Sequence, residues 1–330
     1  MRPVFRCLAA ACCIVLATDG YAAVEPASDA LAMTADDVNA IPASRAVDQD
    51  DKGADILRAQ ILLDRAHFSP GEIDGVFGSN MRRALRGYQA AKGIEVTGTL
   101  DDATWAALNQ DSAPVLAEYE ITDADVAGPF VAVPEDMMEK AELPALGYTS
   151  PLEGLAEKFH ASPKLLESLN PGADFATAGT RIIAPSVDVP PPPAAAQLVV
   201  DASESTVSLV DANGATFAQY PATSGSEHDP LPIGEWKVNG VQRDPVFHYN
   251  PDLFWDAEPG HAKAKVPAGP NNPVGVVWID LSKEHYGIHG TPEPATIGKT
   301  QSHGCIRLTN WSASAVAKAV SPGTPAILRE

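Results

Sequence analysis

A chain of 330 residues has room for two or three compact domains, and a hydrophobic content of 45% can furnish a core for each. Its 23 basic and 43 acidic side chains leave a formal charge of -20, which excludes nucleic acid or an anionic lipid surface as a partner held by general electrostatics. Most of that acidity reads as a solubilising surface.

The chain opens like an export substrate. Arg2 and Arg6 precede an apolar stretch from Cys7 to Ala17, and the small residues Gly20 and Ala22 offer a cleavage site, so residues 1–22 are expected to be a signal peptide. The stretch is too short to cross a bilayer core, and no other apolar run is long enough to span one. Lipid attachment at Cys12 is a poor match because Leu8 sits one position too early. The mature protein is expected in the periplasm, with no integral membrane segment after signal cleavage. Cleavage removes Cys7, Cys12 and Cys13, so Cys305 is left without an intramolecular disulfide partner. A lone thiol in an oxidising compartment needs a chemical reason.

Residues 23–50 are rich in Ala, Asp, Ser and Pro without periodicity and read as a flexible tether. Residues 51–110 read as a helical module. Ile56, Ala59 and Leu63 recur at helical spacing, Met81, Ala84, Leu85 and Tyr88 form a second stripe, and Asp101 caps a third helix carrying Trp105 and Leu108. Ser69-Pro70-Gly71 and Asp74-Gly75 punctuate the interval as turns. The aromatics Phe77, Tyr88 and Trp105 read as core.

In residues 111–186, Leu152, Leu155, Ala156 and Phe159 predict one helix, Pro163 starts another, and Arg181-Ile182-Ile183 predicts a strand. The stretch from Tyr119 to Leu146 has no legible role. Consecutive prolines make residues 187–196 a stiff, extended spacer. From residue 197 to 330 the pattern is strand after strand, at Leu198-Val200, Thr206-Val210, Gly234-Val238 and Val276-Leu281, separated by turns such as Asp211-Ala212-Asn213-Gly214. The whole is multidomain α+β: a three-helix module, a second small module and a mostly β C-terminal domain.

Cys305 lies in Ser302-His303-Gly304-Cys305-Ile306-Arg307. A thiol attacks a carbonyl as thiolate and needs a base or a positive neighbourhood. His289 and His303 are the candidates for that base. His289 follows Tyr286-Gly287-Ile288, which predicts a side chain projecting from a strand end. His303 is two residues before Cys305, so in an extended stretch both would face one way. Gly304 leaves room for a carbonyl to approach main-chain N–H groups. Asn310 is expected to cap a helix running to Val320. His67, His160 and His248 have no partner pattern and read as surface or packing residues.

Three resemblances follow from these segments. "SPGEIDGVFGSNMRRALRGYQAAKGIEVTGTLDDATWAAL" at 69–108 resembles the three-helix peptidoglycan-binding domain. "LAEKFHASPKLLESLNPGADFATAGTRIIAP" is similar to the lysin motif, a glycan-binding βααβ fold, although its usual opening strand and Gly-Asp turn are absent from the pattern. "HGT" at 289–291 with "SHGCIRL" at 302–308 looks like the signature of the L,D-transpeptidase catalytic domain, with the expected interval of 16 residues from His289 to Cys305. "DPLPIGEW" at 229–236 and "VPAGPNNPVGVVWIDL" at 266–281 extend that likeness over residues 198–329.

The last resemblance implies Cys305 as nucleophile, His289 as base and the Gly290 carbonyl as the group orienting the imidazole. Ser302, His303 and Gly304 would shape the pocket and its oxyanion hole, and Arg307 would face the thiolate, a substrate carboxylate or a structural ion partner. The implied substrates are peptidoglycan stem peptides on their glycan strands, with no cofactor and no metal. The implied products are 3-3 cross-links, a wall-anchored lipoprotein, or a tripeptide if the enzyme acts as an L,D-carboxypeptidase. Loops within residues 239–272 are expected to choose the acceptor. Two rival readings differ in class. A zinc site of His289, His303 and Cys305 lacks a fourth ligand, and a non-catalytic wall-binding scaffold leaves the Cys and His motif unexplained. A papain-like peptidase would place its thiol ahead of the histidine.

Overall fold

A computed structural model describes residues 33–41, 47 and 49–330. The expected signal peptide, with Cys7, Cys12 and Cys13, and much of the expected tether lie outside the described residues.

A capping box between Thr34 and Asp37 starts α1 (Ala35–Asn39), which falls inside the segment expected as a tether. These five residues are docked, because Val38 is fully buried and the Asn39 side chain bonds the main chain at Val115 and Leu116. Helix α2 (Ala54–Arg65) is the hub of the N-terminal half and is buried along most of its length. Its polar residues are buried with partners, as interior groups must be: Arg58 donates to Asn109, Gln60 to Asp74, and Asp64 meets His160. Helices α3 (Ser79–Lys92) and α4 (Asp102–Leu108) complete the three-helix module. Gly93 ends α3 in the left-handed conformation, and the Asp101 carboxylate accepts from Thr104 N, as expected of a cap. Phe77, Tyr88 and Trp105 are all core.

Strand β1 (Leu116–Glu120) leads through α5 (Met137–Glu142), α6 (Pro151–Lys158) and α7 (Pro163–Leu169) to β2 (Arg181–Pro185). A strand that the sequence pattern did not predict is therefore present ahead of these helices. β1 pairs antiparallel with β2, Leu116 opposite Pro185 and Glu120 opposite Arg181. It was hidden because "LAEYE" is exposed on most of its side chains and carries little apolar alternation. Ser150 and Ser162 cap the two helices that the sequence predicts, each with proline in the first turn. One hydrophobic core runs without a break from the three-helix module into the unit formed by β1, α6, α7 and β2.

The remaining chain builds a nine-stranded sheet. Its strands are β3 (Gln197–Asp201), β4 (Thr206–Val210), β5 (Thr216–Pro221), β6 (Thr223–Ser224), β7 (Gly234–Arg243), β10 (Val277–Leu281), β11 (Gly287–His289), β12 (Ile306–Arg307) and β13 (Pro325–Arg329). Their order is β5-β4-β3-β13-β7-β10-β11-β12-β6, and β8 (Phe247–Tyr249) and β9 (Ala264–Val266) form a separate hairpin. Helix α8 (Asn310–Ala319) covers the sheet, burying Ala313 and Val316 against strand residues such as Ile279 and Ile288. The expected helix is there, but Thr309 is its cap, accepting from Ser312 N, and Asn310 is the first helical residue.

The modules touch directly. Ser69 N donates to Gln219 O and Gln219 N to His67 O, so the turn after α2 extends the β5 edge of the sheet. Asn80 on α3 donates to Ile297 O. The proline-rich stretch is held between the two halves, with Val187 and Pro192 buried and Ala195 N donating to Ala319 O. His160 is no bystander either, since it pairs with Asp64 at 2.7 Å and stacks on Trp311.

Candidate active site

Strand register assembles the site. β11 pairs parallel with β12, placing Ile288 opposite Ile306 and His289 opposite Arg307. Side chains alternate along strands, so Ile288 and Ile306 point into the core while His289, Arg307 and Cys305 share the other face. That face opens on a cleft of about 1420 Å³, also lined by Asp229, Trp278, Tyr286 and His303.

His289 is only 4% exposed. Its Nδ1 lies 2.7 Å from the Gly290 carbonyl oxygen. A carbonyl only accepts, so Nδ1 carries the hydrogen and Nε2 is left as the acceptor. Trp278 stacks on the ring at 5.5 Å. Burial pulls the imidazole down to about 4, opposed by the Gly290 bond and helped by the Arg307 charge. Burial also raises the Cys305 thiol above its usual range, while a Gly287 backbone bond and Arg307 draw it back. Burial thus favours the neutral form of both groups.

Ser302, 4% exposed, ties the thiol loop to the sheet. Its Oγ accepts from Gly225 N at 2.8 Å and donates to Cys305 O at 2.6 Å, and its N donates to Gly225 O. Gly304 takes φ +95°, and a Cβ there would lie 2.8 Å from the Tyr286 ring. This left-handed residue breaks the extended stretch expected from His303 to Cys305, although both residues line the cleft. His303 is held by Asp256 (Nε2 to Oδ1, 2.9 Å) and by the edge of Phe254, and its Nδ1 is buried without a partner. Arg307 is lowered by burial and supported by the charges of Cys305, Glu293 and Asp256. Among the described residues, His289, His303 and Cys305 do not come together as a metal-holding group.

Asp256 belongs to the loop between β8 and β9, which lines the cleft and is called the lid below. The far side of the lid rests on the segment that had no legible role. Asp136, the cap of α5, meets His261 Nε2 at 2.8 Å, and His261 Nδ1 meets the Tyr249 hydroxyl at 2.9 Å. Leu146, Tyr249 and Val266 form a small core beneath. Sequence reasoning missed Asp256, Trp278, Tyr286 and this buttress. Trp278 lies within β10 and Tyr286 directly before β11, strands that the sequence locates without giving these side chains a role, whereas Asp136 and His261 are 125 positions apart and carry no signal.

The matching family models agree with this architecture. The L,D-transpeptidase catalytic domain family matches residues 195–328, and a peptidoglycan binding domain family matches residues 52–108. The protein named L,D-transpeptidase YkuD of Bacillus subtilis is 32% identical over 175 residues, covering 52% of this chain and 90% of that one. The protein named L,D-transpeptidase YbiS of Escherichia coli is 29% identical over 185 residues, covering 54% of this chain and 60% of that one. A solved L,D-transpeptidase structure from Xylanimonas cellulosilytica aligns with 87% of this chain and 98% of that chain, at 14% identity and a TM-score of 0.37. The chain belongs to the L,D-transpeptidase family and is an enzyme of that class, with a peptidoglycan-binding domain toward its N-terminus.

Proposed function

We propose that this enzyme acts on peptidoglycan stem tetrapeptides through a thioester on Cys305. The observation that carries the reading is the shared face of His289 and Cys305 in one cleft, with Nε2 left free by the Nδ1 bond to Gly290. Sγ bonds to the carbonyl carbon of the third stem residue as its proton passes to Nε2. The oxyanion is met by main-chain N–H groups around Gly304 and Cys305, and Arg307 adds positive potential. Collapse breaks the peptide bond, and the imidazolium proton leaves with the amine of the terminal D-alanine. An acceptor amine then attacks the thioester, gives a proton to His289, and releases the sulfur, which is reprotonated.

A second stem's diamino acid as acceptor gives a 3-3 cross-link, a lipoprotein lysine gives a wall anchor, and water gives a tripeptide. Peptidoglycan lies outside the cytoplasmic membrane, which agrees with export by a signal peptide over residues 1–22 and a periplasmic location. Residues 51–110 would hold the wall, residues 111–186 would serve as a lysin-motif-like unit, residues 187–196 would join them to the catalytic domain at 197–330, and Ser302 and His303 would shape the pocket. Incubating the full-length protein with a disaccharide tetrapeptide and weighing the products tests this. A 3-3 dimer or a tripeptide, with an acyl adduct on Cys305, is expected. Absence of adduct and products together would overturn it.

A further inference from the structure

The imidazole of the cleft is held by a carbonyl on the least constrained kind of residue. Gly290 has no side chain to fix its own conformation, yet its oxygen lies 2.7 Å from His289 Nδ1 and decides which ring nitrogen is left to act. The main chain before it is secured, since Gly290 N donates to Val277 O and Leu308 N to His289 O. The Gly290 carbonyl belongs to the following peptide unit, which those two bonds do not fix. We propose that Asn310, the first residue of α8, is the positioning residue that holds Gly290 and thereby keeps His289 in its working orientation.

Close contact carries the argument. A Cβ built on Gly290 would fall 2.1 Å from Asn310 Oδ1 and 3.3 Å from the Gly275 Cα. One built on Gly275 would fall 2.0 Å from the same oxygen and 2.7 Å from the Gly290 Cα. Gly275 before β10, Gly290 after β11 and Asn310 at the start of α8 therefore meet with no room for another atom. The Asn310 side chain is itself locked. The residue is 1% exposed, Oδ1 accepts from Val276 N at 3.1 Å, Nδ2 donates to Pro270 O at 3.1 Å, and Glu157 on α6 takes a further bond. Val276 is two residues before Trp278, whose ring stacks on His289. One side chain thus sets both the partner of Nδ1 and the strand that carries the stacked ring.

Asn310 is not among the residues that line the cleft, so it acts through Gly290 and touches no substrate. Its loss should therefore change the reaction step and spare binding. If Gly290 turns its carbonyl away, the neutral ring can carry its hydrogen on either nitrogen, and the share with Nε2 bare falls. The inference rests on His289 being the base of the Cys305 reaction.

The test uses the full-length protein and reads the ring directly by long-range proton–nitrogen correlation NMR, with His289→Gln identifying the signal. In the wild type the hydrogen is expected on Nδ1, and Asn310→Ala should give a mixture of the two tautomers. With the disaccharide tetrapeptide, the same variant should lose about 10–100-fold in kcat while KM stays within about twofold. Gly275→Ala, which drives a methyl into the same contact, should reproduce both effects. Gly323→Ala is its control. Its φ is +94° against +60° at Gly275 and a Cβ there meets nothing, so it should share the backbone strain and keep both the tautomer and kcat. The proposal is overturned if Asn310→Ala, or Gly275→Ala should the first not fold, keeps the hydrogen on Nδ1. It is equally overturned if Gly323→Ala loses that tautomer too, or if the loss falls on KM with kcat unchanged. Absence of turnover in the wild type would sink the thioester reading instead, and the tautomer spectra, which need no substrate, would still judge Asn310.

Discussion

The imidazole of His289 is oriented by the carbonyl of its own neighbour Gly290, through a 2.7 Å bond that leaves Nε2 bare toward the cleft. Because burial holds this ring down to about 4, it stays neutral and able to accept a proton at all higher pH. The L,D-transpeptidase resemblance implies that a carbapenem acylates Cys305, and this acylation, followed by mass spectrometry, should be insensitive to acid until pH approaches about 4, and fall below it as the ring is protonated. A break near the ordinary histidine value would contradict the buried base. His289→Gln should slow acylation by about 10²–10⁴-fold, and Cys305→Ala should abolish the adduct.

Gly304 and Gly214 make a matched pair. Both have positive φ, but a Cβ at Gly304 meets Tyr286 whereas one at Gly214 meets nothing. Each alanine variant should lose about 1–2 kcal/mol to backbone strain in thermal or urea unfolding. Only Gly304→Ala should also lose acylation. Equal acylation in the two variants would show that the shape of the thiol loop is immaterial.

The lid is held from outside by Asp136 through His261. Asp136→Ala should raise hydrogen exchange in residues 250–263 and lower acylation efficiency. His261→Ala should do the same, and the double variant should be little worse than either, because the two act as one unit. Additive losses would mean that the contact does not transmit to the lid.

Glu157 on α6 is pushed up to about 7, first by burial and then by Glu153, against the bond from Asn310. An acid whose folded value is raised makes the ionised native state costly. That cost is complete above about pH 7 and gone below the ordinary carboxylate range. Glu157→Gln should therefore stabilise the protein at pH 8 by up to about 3 kcal/mol and give no gain at pH 4. Urea midpoints at the two pH values check it, and an equal effect at both would sink it.

Local chemistry made much of this molecule legible beforehand. Apolar spacing in α6, proline at the start of α7, aspartate before α4 and β-branched runs in β3, β4 and β10 are short-range signals, and all lie where the sequence places them. The motif around Cys305 was equally plain, and the paired strands β11 and β12 bring it to the same cleft as His289. What stayed hidden is long-range or conformational. β1 is an edge of exposed side chains recognisable only by its partner β2, and the turn at Gly304 depends on Tyr286, which no spacing predicts. The docking of α1 and the Asp136–His261 bond arise from the folded surface, so composition alone made the former a tether and left the latter unread.

Strand β13 lies between β3, to which it is parallel, and β7, to which it is antiparallel. Residues 325–329 are thus the keystone of the sheet, yet they are the last of its strands to be synthesised. Until they arrive, β7, β10, β11 and β12 have no ladder joining them to β3, β4 and β5. Such an order delays completion of the nine-stranded sheet until its last strand is available.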